Sequence, residues 1–159
     1  MSIDKGRLAA RLAAFTLVEA VQVDDMSGAL AVAHADAIEQ GWPEVTRVLL
    51  YAEVVRALVI SDPDVGHTIT ALYDHAEAAG DRAMLSVALA SRAEHRLSTA
   101  DPLAWQGFEQ DLARATALAQ LSTDGALERA TAYIACASAY SLRDLWEIEE
   151  ELYAEVTPL

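Results

Sequence analysis

Four histidines, one cysteine and a spread of carboxylates are the residues of this chain with chemistry beyond packing. A metal centre needs several such ligands converging. His34, His67, His75 and His95 instead fall on three separate predicted helices, and no Glu-x-x-His pair occurs. Asp64-x-x-His67 is the nearest approximation, but a carboxylate bundle site requires two such pairs facing one another, so surface or capping roles are expected and no metal is assigned. Cys136 would need an adjacent base to act as a nucleophile. Its helical neighbours Ala132 and Tyr140 supply none, and with Ile134, Ala135 and Ala137 beside it the thiol reads as buried and inert. The glycines stand singly, without G-x-G-x-x-G or Walker spacing, so no phosphate cradle is expected. No catalytic residue and no cofactor is assigned, and the chain is read as not an enzyme.

What remains is binding. His67, Thr70, Asp74 and Glu77 fall on one side of a single predicted helix, a polar stripe suited to a groove that takes a basic or polar peptide. An ordinary solvated face is the plain alternative. Tyr133 and Tyr140, seven residues apart, fit either such a surface or, in preference, the core. Trp42, Tyr73, Trp105 and Tyr133 are the aromatics that would line a cavity between helices if the chain sensed a small molecule.

Charge narrows the partners. Eleven Lys and Arg against 25 Asp and Glu give a formal charge of −14, a field that repels phosphate backbones and anionic headgroups. Neither nucleic acid nor a membrane surface is an expected partner. A lone cysteine forms no internal disulfide, and the apolar stretch near the start is interrupted by Asp4, Arg7 and Arg11, unlike a signal peptide. Even the segment Val45 to Ile60 carries Arg47, Glu53 and Arg56, so no membrane span is expected. These features point to a cytoplasmic protein.

The elements that must position these residues are helices. The chain is 159 residues long and 53% hydrophobic, with only seven Gly and four Pro, enough apolar surface for one core and few helix breakers. Slid against itself by 39 positions, the sequence superposes its punctuation: Gly41 on Gly80, Asp62-Pro63 on Asp101-Pro102, Asp25 on Asp64. Core-type residues follow, with Leu50 on Leu89, Val48 on Val87, Leu58 on Leu97, Ala37 on Ala76 and Leu30 on Ile69. Gly closes a helix and Pro opens the next, so each unit is two helices that bury their apolar sides by stacking on neighbouring units.

The expectation is a single all-α domain of stacked antiparallel hairpins, an α-solenoid of roughly eight helices. A lone first helix occupies 1–24, running from Ile3 to Gln22 with Leu8, Leu12, Phe15 and Val18 at helical spacing. Hairpin 1 covers 25–61, hairpin 2 covers 62–99 and hairpin 3 covers 100–143, the last pairing a helix from Pro102 with one ending at Leu142. Residues 144–159 form a separate acidic terminal helix or linker, with Glu147, Glu149, Glu150 and Glu151. Expected core residues include Met26, Leu30, Ala33 and Ala37, then Val48, Leu49, Tyr51, Val55 and Leu58, and later Trp105, Phe108, Leu112 and Ala115. Asp81 is placed as a helix cap.

The run from Ala76 through Gly80-Asp81-Arg82 to Leu85, followed by Ala90-Ser91-Arg92-Ala93 and Asp101-Pro102, resembles tetratricopeptide-like repeats. The resemblance covers Asp25 to about Leu142; the family's Trp, Leu-Gly and Tyr positions in the leading helix are not reproduced. Longer repeats of this Ala-rich Gly-Asp type are similar to helical modules placed ahead of output domains in bacterial signalling proteins, such as diguanylate cyclases and transcriptional regulators. The resemblance implies a non-catalytic module for protein–protein interaction or self-association, with leading helices lining a concave groove. Any output activity would then lie beyond these residues. A sensor with a small-molecule cavity is the alternative.

Overall fold

A computed structural model describes the backbone of residues 4–99, 101–123 and 125–156, and side chains within those ranges as far as residue 144. Among the described residues there are seven helices and no strand: α1 (Lys5–Ala20), α2 (Ser27–Gln40), α3 (Pro43–Val59), α4 (Val65–Ala79), α5 (Arg82–Leu97), α6 (Ala104–Leu121) and α7 (Ala126–Val156). The protein is all-α.

Local chemistry sets the boundaries. Asp4 and Asp81 cap α1 and α5, accepting from the amides of Arg7 and Met84 at 3.0 Å each. Gly41 and Gly80 sit at φ +70° and +67° and end α2 and α4. In both, the next amide folds back to a carbonyl five residues earlier, Trp42 to Ala37 and Asp81 to Ala76. Ser61 closes α3 the same way at φ 54°, with Asp62 bonded to Ala57, a left-handed position that a residue with a Cβ occupies under strain. The side chains of Asp25, Asp62 and Asp101 each accept from the amide two residues on. By this criterion Asp25 corresponds to Asp62, not Asp64, and the spacing of the first break is 37.

One expected boundary is absent. Residues 126–156 form a single helix of 31 residues instead of one ending at Leu142 and another beginning near 145. The cause is plain in the sequence, because neither Gly nor Pro interrupts Ala126 to Val156. The solvated-cap role expected for the side chains of 145–159 lies outside the described residues.

Packing divides the helices into two layers. Each even helix sits on the odd helices before and after it: α2 on α1 and α3, α4 on α3 and α5, α6 on α5 and α7. Consecutive odd helices also touch, whereas among the described residues no two even helices bring their backbones together. The odd layer is stitched by ion pairs, Arg7 to Glu44, Arg47 to Asp81 at 2.6 Å and Arg11 to Glu128 at 2.7 Å. The last pair joins the first helix to the seventh across 117 residues.

Centrality shows in burial. In α5 every side chain from Ala83 to Ser91 is buried, whereas α2 buries only Leu30 and Ala37. The core positions of the outer helices recur at the 39-residue period: Leu30, Ile69 and Phe108, then Ala37, Ala76 and Ala115, all at most 2% exposed. In α1 the inward face is Ala14, Val18 and Val21, while Leu8 and Leu12 stand 42% and 48% exposed. Of the expected stripe Leu8, Leu12, Phe15 and Val18, the last is buried and Phe15 packs against the core, while the two leucines face outward. Arg7 and Arg11 share the spacing of Ala14 and Val18, so their bonds to Glu44 and Glu128 turn that face inward, a face that apolar periodicity alone overlooks.

Candidate functional site: two clefts flanking α4

Because the backbones of α2, α4 and α6 do not meet, α4 is a ridge with a cleft on either side, floored by α3 and by α5. It buries Val65, Ile69, Leu72 and Ala76, and the opposite side presents His67, Thr70, Asp74 and Glu77, all exposed. The expected stripe therefore crowns the ridge, and Thr70 lines a hollow beside it.

The cleft between α2 and α4 encloses about 460 Å³ among His34, Ile38, Trp42, Thr46, Leu50 and His75. Its lining is mainly apolar, and Ile38 is 61% exposed at its edge. The Nδ1 atom of His75 is buried without a hydrogen-bond partner among the described residues. Among the described residues no hydrogen bond or ion pair spans this cleft from α2 to α4.

The cleft between α4 and α6 has the opposite character. Asp111 of α6 is 6% exposed and takes Arg92 Nε and Nη2 at 2.9 and 2.7 Å, then Arg96 Nε at 2.7 Å. Burial alone would raise the Asp111 carboxyl, but the bonds from the two guanidiniums outweigh it and hold the group below the usual carboxylate range. Arg92 also lies over the Tyr73 ring, 5.3 Å from its centroid. From α6, Arg114 stacks on the same ring and donates to its hydroxyl at 3.0 Å, bridging α4 to α6. A hollow of about 370 Å³ beside this network is lined by Gly66, Thr70, Arg92, His95, Arg96 and Asp101.

Other residues singled out by type do not assemble. Trp42 lies in the apolar cleft, Tyr73 under two arginines, Trp105 stacked on Phe108 at 5.4 Å, and Tyr133 stands 45% exposed. The four aromatics line no common cavity. Tyr133 and Tyr140 are exposed, not core, because the inward face of α7 is Ala132, Ala135, Cys136 and Ala139. Cys136 is buried 3.6 Å from Ser86, whose hydroxyl donates to the Ala115 carbonyl. On the side of the odd layer, burial pushes the Glu94 carboxyl up, opposed in part by Ser138. Burial likewise pushes the Tyr51 hydroxyl up, with Glu94 and Glu19 adding to the effect.

Among the described residues no group of three His, Cys, Asp or Glu is placed to hold a metal ion. No described helix is long and apolar enough to cross a membrane. Comparison with protein-family models, with curated proteins and with solved structures returns no match.

The arginine network escaped the sequence reading, though a signal existed. Asp111 falls on the apolar side of α6, between Phe108, Leu112 and Ala115. A carboxylate at such a position demands a buried cation, and Arg92 and Arg96, spaced four apart, were the available pair.

Proposed function

We propose that this chain is a non-catalytic, tetratricopeptide-like solenoid module that binds a protein partner across α4, serving as the regulatory part of a larger cytoplasmic bacterial signalling protein. The observation that carries this is the pair of clefts on either side of one exposed ridge, each built by side chains from three helices. An extended segment crossing α4 would meet apolar surface in one cleft, the polar groups His67, Thr70, Asp74 and Glu77 on the crest, and guanidiniums in the other. A preformed surface of this kind avoids part of the ordering cost of association, and Trp42 and the arginines are the residue types that anchor interfaces.

The test is a peptide-display selection on the full chain, followed by affinity measurement on variants of each region. Selected peptides should bind at least tenfold more weakly to Ile38→Asp and to Thr70→Arg, about 1.4 kcal/mol each. Peptides indifferent to both changes, or a failure to select any, would remove the proposal's support. Sedimentation of the same variants reads the self-association form, in which a wild-type dimer would revert to monomer.

A further inference from the structure

The cleft between α4 and α6 holds more positive charge than its structural task requires. Arg92 alone occupies both oxygens of Asp111, yet Arg96 is drawn to the same carboxylate and Arg114 to the same tyrosine as Arg92. Two guanidiniums thus share one buried carboxylate while a third meets the first at the Tyr73 ring, and like charges held together repel. In a chain of formal charge −14 this is a local reversal of sign.

Arg96 is as open to solvent as Arg92, their side chains being 36% and 37% exposed. Its Nη atoms have no acceptor among the described residues, and its Nε is fixed by Asp111. It borders two adjoining hollows, of about 370 and 280 Å³, which share Arg96 and Asp101. His95 and Thr70 line the first, Gln106 and Gln110 the second. Space for the guanidinium comes from Gly107, where a Cβ would stand 2.8 Å from Arg96 Cδ and 3.0 Å from its Nε and Nη1. The rim carboxylate of Asp101 accepts the amide of Leu103 and presents a negative edge opposite the arginines.

We propose that this cleft is an oxyanion site, which takes the carboxylate or phosphate group of a small acid on Arg96 and Arg92. An arginine already oriented by a buried carboxylate gives up little freedom on binding, and its planar fork matches such a group. Asp101 favours a ligand with a hydroxyl donor beside the acidic group. The site shares its guanidiniums with the partner-binding reading above but is tested apart from it, since the ligand is a small acid and the α2–α4 cleft takes no part.

The full chain, labelled with ¹⁵N, is titrated separately with inorganic phosphate and with citrate while the arginine Nε–H and histidine ring signals are followed by NMR. Saturable shifts at Arg96 and His95 are expected, weakening as salt is raised. Response to citrate alone identifies a carboxylate ligand and response to phosphate alone a phosphorylated one; either supports the site. Arg96→Gln should weaken binding at least tenfold, whereas Arg82→Gln, at the far end of α5, should leave it unchanged. Gly107→Ala should also weaken it by displacing Arg96, with the helical fold checked by circular dichroism. Absence of saturable shifts with both anions, or equal affinity in Arg96→Gln and wild type, would overturn the proposal.

Discussion

The two clefts flanking α4 stand one repeat apart, and superposing them by 39 residues compares them position by position. His34 and His75 on the walls of the first correspond to Tyr73 and Arg114 on the walls of the second, and Leu72 corresponds to Asp111. On the helices beneath, Glu53 and Ala57 of α3 correspond to Arg92 and Arg96 of α5. Leu30, Ile69 and Phe108 meanwhile keep one buried role in all three outer helices. What recurs is the punctuation of the backbone and the buried contacts; the cleft surface is free to diverge. One cleft became apolar and without a bridge, the other charged and cross-braced by Tyr73 with Arg114.

The sharpest test of that contrast is to empty the matching core positions. Phe108→Ala, beneath the braced cleft, should lose about 3–5 kcal/mol of stability and Leu30→Ala, beneath the unbraced one, about 2–3 kcal/mol, read from urea unfolding. Equal losses would mean that the bracing adds nothing to the packing of α6. The next effect is electrostatic. Asp111→Asn should lose about 2–3 kcal/mol at neutral pH, since two charge-assisted partners lose their carboxylate. Because the folded Asp111 carboxyl is held below its ordinary value, its contribution is present above the unfolded pKa and is lost as pH falls through the folded one. The gap between wild type and Asp111→Asn should therefore close on acidification. No comparable term belongs to the first cleft, where Leu72 stands in the corresponding place. Smallest is Tyr73→Phe, which keeps the ring under Arg92 and Arg114 but removes the hydroxyl acceptor. A loss of about 0.5–1 kcal/mol is expected, with faster amide exchange confined to α4 and α6.

The sequence made the all-helical character and most boundaries legible because Gly41, Gly80, Asp81 and the Asp-Pro pairs act locally, through φ and through bonds to nearby amides. It was less informative where long-range partners decide. Apolar spacing in α1 favoured Leu8, Leu12, Phe15 and Val18; Val18 is buried, but Arg7 and Arg11 reach acids on α3 and α7 and leave Leu8 and Leu12 exposed. Of the candidate site, the stripe on α4 was visible as a helical face, and its exposure follows from Val65, Ile69, Leu72 and Ala76 turning inward. The arginine cluster was not visible, because its members come from two helices and are gathered by one carboxylate whose burial only the packing reveals.

The bond from Arg11 to Glu128 bears on how the molecule assembles. A run of like units that meet only their neighbours can gain or lose a unit and can order from any point. A tie between the two extremes of the chain removes that freedom: an added hairpin would pull Arg11 from its acid. It also delays the final ordering of the first helix until the seventh exists, and such distant pairing slows the search for the native state.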